Sequence, residues 1–252
     1  MNSIYGVVLA GGTGSRMKND FPKQFLKLNG RSLLSHSTER MNSFPFFKSI
    51  IIVSHPKFIQ ETEEEVAQYL REGDRIVEGG ATRHESTLSA LNSISFDSSD
   101  IFVFHDAARP FFTNTEIYDV CRSATKTGAS TLATNVSETV VESSNNTVIS
   151  ILNRNSVFLI KTPQALQMEL YTEKLQNIDF TQDKEPTDLC SWTALAKVQT
   201  SIVNSNPFNI KITTKDDLNL AEKFFDLFLE WESKNPFDPK NCGGCSVRKH
   251  IQ

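Results

Sequence analysis

The chain is 252 residues long, with 38% hydrophobic residues, 22% charged residues, 11 glycines and 9 prolines. This length and composition are typical of one large folded unit, and they exclude a fibrous protein or a chain that is disordered throughout. The formal net charge of −4 argues against an extended basic surface for nucleic acid or an anionic membrane. An anionic ligand would therefore need a local cluster of positive charges.

Cysteine usage and hydropathy predict the compartment. Four cysteines in a chain of this length do not make a disulfide framework. No run approaches the roughly 18 consecutive apolar residues of a membrane span, and the N-terminus lacks the basic start of a secretory signal peptide. We predict a cytoplasmic protein with reduced thiols that binds neither nucleic acid nor membrane.

Strand and helix patterns alternate along the first half of the chain. Short apolar or β-branched runs predict buried strands, and the segments between them have helical periodicity. The predicted strands are Ile4–Leu9, Ser49–Val53, Asp74–Val77, Ile101–Phe104 and Ser130–Ala133. The predicted helices are Ser32–Met41, Lys57–Leu70, His84–Leu91 and Thr115–Thr127. This order predicts an α/β fold with a Rossmann-like, mostly parallel sheet flanked by helices.

A different pattern follows these elements. Thr139–Glu142 and Thr147–Leu152 are β-prone runs separated by the polar quartet SSNN, which predicts a hairpin arm within residues 136–154. A two-stranded hairpin is not stable alone in water. We therefore expect a second copy of the chain to cover the arm in a homodimer.

The last regular elements are a strand and a helix. Phe208–Thr213 (FNIKIT) is a β-prone run and predicts a late strand. Thr214 and Asp217 have the spacing of a capping box, and apolar residues from Leu218 to Leu229 then recur at helical spacing. These residues predict a C-terminal helix that docks on the core.

The chain ends in a segment of different composition, rich in Lys, Asn, Pro, Asp and Gly. We therefore divide the chain into a catalytic domain of residues 1–232 and a tail of residues 233–252. Cys242 and Cys245 in the tail form a C-x-x-C motif, but no second pair stands at metal-ligand spacing. We interpret the tail as a passive segment with exposed thiols.

A glycine-rich loop follows the first predicted strand and reads AGGTGSRM over residues 10–17. Glycines at the carboxyl end of a parallel strand let backbone N–H groups approach a phosphate. The dinucleotide-binding pattern fails because Met17 stands where a third glycine or alanine is needed, and no Gly-Lys-Ser/Thr of a P-loop follows. Arg16 and Lys23 supply two cations near the loop, which suits a nucleoside triphosphate better than a dinucleotide.

Several motifs together resemble the cytidylyltransferases that act on methylerythritol 4-phosphate or ribitol 5-phosphate. The resemblance covers about residues 4–230, in order and with compatible spacing, and includes a Glu138-Thr139 pair in the arm. The motifs are LAGGTGSRM (Leu9–Met17), PKQF (Pro22–Phe25), EGGATRHES (Glu78–Ser86), HDAARPF (His105–Phe111), RNSVFLIKTPQA (Arg154–Ala165), PTD (Pro186–Asp188) and NIKIT (Asn209–Thr213).

This resemblance implies a fold of the nucleotide-diphospho-sugar transferase type and transfer of CMP from CTP to a polyol phosphate, with release of pyrophosphate. The nucleophile would be a phosphate monoester that is mostly dianionic at neutral pH. It needs no Ser-His-Asp triad. Catalysis would depend on positioning, on fixed cations and on Mg²⁺ or another divalent cation.

The resemblance also implies roles for individual residues. Catalytic roles fall to Arg16, Lys23, Arg154 and Lys211. CTP binding falls to Leu9, Ala10, Gly11, Gly12, Gly80, Ala81, Thr82, Arg83, Ser86 and Asp106. Acceptor binding falls to Asp106, Arg109, Thr139, Arg154, Thr162, Thr187 and Lys211, with Asp106 also at the metal and Thr139 supplied by the partner subunit. His84 and His105 are interpreted as structural, because the reaction has no proton for them to move.

Two departures from the methylerythritol pattern resemble the ribitol-phosphate branch, and the second of them lies beside the expected acceptor. The loop has glycine at position 11, where a second alanine is more usual in those enzymes, and Leu189 and Cys190 follow the PTD motif. Both features favour ribitol 5-phosphate, with methylerythritol 4-phosphate as the alternative acceptor. Two other classes stay open, a nicotinamide-dependent oxidoreductase and a catalytically silent nucleotide-binding protein.

Overall fold

The computed structural model describes residues 2–12, 22–180 and 185–238. The strands are β1 (Ile4–Ala10), β2 (Lys27–Leu28), β3 (Arg31–Ser32), β4 (Phe47–Ser54), β5 (Arg75–Glu78), β6 (Ile101–Asp106), β7 (Ala129–Asn135), β8 (Val141–Ser144), β9 (Thr147–Ile151), β10 (Phe158–Gln167) and β11 (Ser201–Asn204). The α-helices are α1 (Leu33–Ser43), α2 (Ile59–Val66), α3 (Arg83–Asn92), α4 (Asn114–Thr127), α5 (Met168–Leu170), α6 (Leu189–Leu195) and α7 (Lys215–Lys234).

A seven-stranded sheet in the order β11-β7-β10-β6-β1-β4-β5 forms the centre of the molecule. Neighbouring strands are parallel except for β10, which runs antiparallel to both β6 and β7. Every residue of β1 is buried, as expected for a strand with helices on both faces. The predicted mostly parallel α/β fold is confirmed.

Side chains alternate between the two faces of the sheet. Val8 on β1 and Ile52 on β4 face one core, which also contains residues of α1 and α4. Their neighbours Leu9 and Val53 face the other core, which contains residues of α3 and α6. A third apolar cluster joins α7 and the segment before it to β2, the start of α1 and the loop after β6. Strands with apolar residues on both faces require this helix–sheet–helix layering.

Two parts of the predicted strand pattern differ from the structure. Phe208–Thr213 is not a strand, because its backbone bonds to the loop after β6 instead of to a sheet edge, with Ile212 N donating to Ala108 O at 2.9 Å. The last strand is instead β11, which was not predicted. The antiparallel strand β10 was not predicted either. Pro163 interrupts the strand pattern of β10, and the pairing of β10 with β7 shifts register between Lys161 and Gln164.

The predicted arm is present as the antiparallel pair β8 and β9, whose strands pair only with each other among the described residues. Its apolar side chains face solvent in the single chain, with Val148 58%, Ile149 60% and Ile151 72% exposed. Apolar side chains of this size are seldom so exposed on a single chain. Their exposure is the reason to expect that a second copy of the chain buries the arm.

The C-terminal boundary predicted at residue 232 falls inside α7, which continues to Lys234. Beyond it, the Phe237 ring lies 5.9 Å from the rings of both Phe44 and Tyr118 and packs against the first core. The packed part of the chain therefore reaches Phe237. Cys242 and Cys245 lie outside the described residues. Within the described ranges, no helix is both long and apolar enough to cross a bilayer.

Candidate active site

A cavity of about 270 Å³ opens at the carboxyl edge of the sheet, where β1, β4 and β6 end side by side. Parallel sheets place ligand sites at this edge because the loops that leave the strands converge there. The predicted residues that line it are Leu9, Ala10, Gly11, Gly12, Lys23, Gly80, Ala81, Thr82, Arg83, Ser86, Asp106 and Lys211. Every residue predicted to bind CTP is in this set.

Glycines line the cavity in two loops, Gly11 and Gly12 after β1 and Gly80 after β5, which are called the glycine turns below. Two of these glycines lie so close to α3 that a larger side chain would meet it. Glu85 reaches back to the N-cap residue Thr82 in a capping box that begins α3. A Cβ atom on Gly80 would lie 2.2 Å from the Glu85 Cβ, so only glycine fits beside this cap. A Cβ atom on Gly11 would come within 3.1 Å of Ser86 Oγ. The two glycine turns therefore approach the start of α3 closely and leave backbone N–H groups near the cavity.

The opposite wall is built around Asp106, the last residue of β6. Its Oδ1 accepts hydrogen bonds from Arg83 Nε at 3.2 Å and Nη2 at 3.1 Å, and its Oδ2 accepts from Lys211 Nζ at 2.6 Å. Burial alone raises the pKa of this carboxyl. The charges of Arg83, Lys211 and Arg109 outweigh the burial and lower the pKa of Asp106 well below its ordinary value. Asp106 is therefore an anion that holds two cations at the cavity.

Two predicted acceptor-binding residues lie next to Asp106. Thr162 Oγ1 accepts a hydrogen bond from Asp106 N at 3.1 Å, and Thr162 is buried in the bulge of β10. Arg109 Nη1 donates to Asn209 O at 3.3 Å. Neither lines the cavity: Thr162 contacts the segment that carries Asp106, and Arg109 contacts the segment that carries Lys211.

Three of the remaining predicted residues, Arg154, Thr139 and Thr187, do not line the cavity within one chain. Arg154 and Thr139 belong to the arm region, and the exposed Arg154 donates from Nη1 to Ser137 O at 3.3 Å. Thr187 is exposed before α6, and its N–H donates to Ser191 Oγ at 2.9 Å. Arg16 lies outside the described residues. The structure thus collects the predicted CTP residues and leaves part of the predicted acceptor set apart.

His55 and Gln24 also line the cavity and were not predicted. His55 follows β4, whose last residue Ser54 pairs with Ala10 on one side and Glu78 on the other. His55 therefore lies between the two glycine turns. The buried Gln24 donates from Nε2 to Ala10 O at 2.6 Å. The position of His55 at the end of a predicted parallel strand was a usable signal, as was that of Gln24 inside the PKQF motif.

Comparisons with known proteins agree with this geometry. The family model described as IspD: 2-C-methyl-D-erythritol 4-phosphate cytidylyltransferase matches residues 4–226. The chain is 45% identical over 225 residues to the enzyme of that name from Leptospira borgpetersenii, covering 89% of this chain and 94% of that protein. It is 32% identical to a ribitol-5-phosphate cytidylyltransferase from Lactiplantibacillus plantarum, covering 86% of this chain and 96% of that protein.

Solved structures give the same result. A 2-C-methyl-D-erythritol 4-phosphate cytidylyltransferase from Francisella tularensis has a TM-score of 0.70 at 29% identity and covers 88% of this chain and 99% of its own. A 4-diphosphocytidyl-2C-methyl-D-erythritol synthase from Anaerococcus prevotii shares the fold, with a TM-score of 0.77 at 23% identity and coverage of 89% and 96%. The chain belongs to the IspD family of cytidylyltransferases, as its motifs predicted, and is a CTP-dependent enzyme that acts on a polyol phosphate.

Proposed function

We propose that this enzyme transfers CMP from CTP to 2-C-methyl-D-erythritol 4-phosphate. The observation that carries the proposal is that all residues predicted to bind CTP line one cavity, together with Lys23 and Lys211. The choice of acceptor is supported by two Leptospira relatives with the methylerythritol name, which are 45% and 46% identical to this chain, whereas the relative with the ribitol name is 32% identical.

The structure weakens one argument that favoured ribitol 5-phosphate. Leu189 is 3% exposed and packs in the core with Trp192, and its N–H donates to Gln164 Oε1 at 3.2 Å. Cys190 is half-buried, with Sγ 3.7 Å from Gln164 Nε2. These two residues begin α6 and anchor it to the sheet. Neither residue lines the cavity, so neither gives a direct reason to prefer ribitol 5-phosphate.

The proposed reaction needs charge stabilisation more than proton transfer. An acceptor phosphate oxygen attacks the α-phosphorus of CTP, the bond from that phosphorus to the oxygen bridging to the β-phosphorus breaks, and pyrophosphate leaves with its electron pair. Lys23, Arg83 and Lys211 place three positive side chains along the cavity. Fixed cations in a partly enclosed site stabilise the charge that develops on the leaving group.

Asp106 fits the predicted divalent cation. It is the one acidic residue among the described residues that line the cavity, and no cluster of three or more His, Cys, Asp or Glu suited to a metal occurs in those ranges. Mg²⁺ typically binds one or two carboxylates together with substrate phosphates. When bound, such a cation would neutralise part of the triphosphate charge.

The proposed enzyme is a homodimer in which the arm of one subunit completes the site of the other. Ile149 and Ile151 are exposed on the arm, and burying such a row against a second subunit would be favourable by the hydrophobic effect. Arg154 and Thr139 lie at the base of the same arm, away from the cavity lining of their own chain. A partner's arm would supply both to the acceptor.

Pyrophosphate release from CTP and Mg²⁺ tests the acceptor. We expect release with 2-C-methyl-D-erythritol 4-phosphate at a kcat/KM well above that for ribitol 5-phosphate or glycerol 3-phosphate. A higher value with ribitol 5-phosphate would refute the proposed acceptor and leave the cytidylyltransferase activity intact. One or two hydrogen bonds in the acceptor pocket are enough to set such a preference.

Mixing two impaired variants, assayed at an acceptor concentration well below the wild-type KM, tests the shared site. Lys23→Ala removes a residue of one subunit's cavity, and Arg154→Ala removes a residue of the arm. If each arm acts on the partner's site, one site of a mixed dimer lacks both Lys23 and Arg154, and the other site has both. Activity should therefore recover on mixing, to about a quarter of the wild-type value for random exchange. If mixing restores none while size-exclusion with light scattering shows that subunits have exchanged, the arm does not act in trans.

A further inference from the structure

His105, one residue before Asp106, takes part in a buried hydrogen-bond chain outside the cavity. Its ring is fully buried and packs on Phe112 with ring centroids 4.0 Å apart. Nε2 lies 2.9 Å from Arg109 O, and Nδ1 lies 3.2 Å from Thr162 Oγ1. A carbonyl oxygen only accepts hydrogen bonds, so Nε2 carries the proton. The two hydrogen-bond partners of the fully buried ring among the described residues are this carbonyl and the Thr162 hydroxyl, and neither is a carboxylate, so the ring is neutral and Nδ1 is an acceptor.

This tautomer sets the direction of the next hydrogen bonds. Thr162 donates its hydroxyl proton to His105 Nδ1, so that the Thr162 Oγ1 lone pairs are available to the N–H of Asp106 at 3.1 Å. The Arg109 N–H also donates to Asp106 O at 3.0 Å. The imidazole therefore holds both ends of the turn from Asp106 to Arg109, one directly and one through Thr162.

The same chain extends to the segment that carries Lys211. Asn209 is completely buried, and its Nδ2 donates to Thr162 O at 2.9 Å. Arg109 Nη1 in turn donates to Asn209 O at 3.3 Å. Three segments distant in sequence are thereby joined behind the cavity, and each of them carries a residue of the predicted acceptor side.

We propose that His105 is a positioning residue, which orients Asp106 and Arg109 through its hydrogen bonds to Thr162 Oγ1 and Arg109 O. It touches no substrate and moves no proton. Displacement of reacting groups by even about 1 Å costs an enzyme up to roughly 100-fold in rate. Loss of the two imidazole hydrogen bonds should therefore act on the acceptor side more than on the glycine turns that face CTP.

Three substitutions in the full-length protein separate this role from simple packing. His105→Phe keeps a ring against Phe112 and removes both nitrogens, whereas His105→Gln keeps a donor near the Nε2 position. His36→Phe is the matched control. His36 is another buried histidine, its Nε2 bonds to Leu28 O at 2.8 Å, and it does not line the cavity.

The proposal rests on the proposed transferase function, so the kinetics use whichever polyol phosphate the wild type turns over. We expect His105→Phe to lower kcat/KM for the acceptor on the order of 10- to 100-fold with the KM for CTP changed less than about twofold. His105→Gln should recover part of the loss. His36→Phe should lower the midpoint of urea unfolding and leave both KM values near wild type.

The proposal is overturned if His105→Phe and His36→Phe have the same kcat/KM for the acceptor when both variants are folded to the same fraction. A His105→Gln variant as impaired as His105→Phe would also overturn it. Independently of activity, long-range ¹⁵N–¹H NMR of the imidazole rings should show the Nε2–H tautomer for His105 in the substrate-free protein. An Nδ1–H tautomer would refute the hydrogen-bond chain, whereas failure of the wild type to release pyrophosphate would refute only the function.

Discussion

The burial of His105 makes stability depend on pH in a way that one substitution can isolate. The folded state holds the pKa of His105 at about 3, against 6.5 for an exposed histidine. Between these values the unfolded chain binds a proton that the folded chain does not, so the stability present above pH 6.5 is lost as the pH falls. At pH 5.0, which is 1.5 pH units below the unfolded-state pKa of 6.5, the free energy of unfolding is lower by about 1.36 kcal/mol per pH unit, or about 2 kcal/mol in all.

This magnitude is insensitive to the depth of the shift. At pH 5.0 the loss is governed by the unfolded-state pKa as long as the folded-state pKa of His105 stays below about 4. His105→Gln has no titrating group at this position, so its stability should fall less between pH 7.5 and 5.0 than that of the wild type, by about 2 kcal/mol. His36 and His84, whose pKa values are also lowered mainly by burial, are present in both proteins and cancel.

Urea unfolding followed by circular dichroism at both pH values, in EDTA, measures this difference. The cost of the substitution itself is common to the two pH values and drops out of the comparison. An equal loss of stability in the wild type and His105→Gln would mean that His105 takes up its proton in the folded state, which contradicts the lowered pKa.

Three substitutions and two truncations test the site and the C-terminus. Lys23→Ala should lower kcat by on the order of 100-fold, more than it raises the KM for CTP, since a fixed cation acts mainly on the transition state. Arg154→Ala should raise the acceptor KM more than the CTP KM, because the arm is expected to bind the acceptor phosphate. His55→Ala should raise the CTP KM by about fivefold, the value of one neutral hydrogen bond, because Nδ1 of His55 accepts from Lys57 N at 3.2 Å and leaves Nε2–H for the ligand. Ending the chain after Lys234 should cost about 1–2 kcal/mol in urea unfolding, less than for a fully buried phenylalanine, whereas ending it after Asp238 keeps Phe237 and should cost less.

Each of these outcomes has a contrary result. Unchanged turnover of Lys23→Ala would remove that lysine from the site, and equal effects of Arg154→Ala on both KM values would contradict its assignment to the acceptor. A normal CTP KM for His55→Ala would mean that its ring only borders the cavity. Equal stability of the two truncated chains would show that Phe237 contributes no packing energy.

Much of the fold was predictable because its determinants are local. The apolar runs of β1 and β4 are complete within eight residues each, and the capping box of Thr214 and Asp217 spans four positions. Such signals act through backbone geometry and side chains a few residues apart. Such local signals can be recognised in the sequence without knowing what the helix or strand packs against.

Elements that depend on distant partners were mispredicted. β10 contains Pro163 and is held as a strand only because β6 and β7 lie on either side of it. Phe208–Thr213 has the residues of a strand, but Asn206 and Asn209 tie it to Phe111 and Thr162 instead of to a sheet edge. Strand propensity alone cannot decide between these outcomes, because pairing is a property of the neighbours.

The amino-acid sequence was enough to predict the parallel α/β order, the glycine-rich loop, the cap of the C-terminal helix and the motifs of a cytidylyltransferase. Which of these residues meet depends on how distant strands pair. Asp106 and Lys211 are 105 positions apart, yet Asp106 Oδ2 lies 2.6 Å from Lys211 Nζ. His55 lines the cavity because β4 lies beside β1. Leu189 packs in the core. The reason is physical: local conformation is set by neighbouring residues, whereas a binding cavity is set by the order in which distant strands pair.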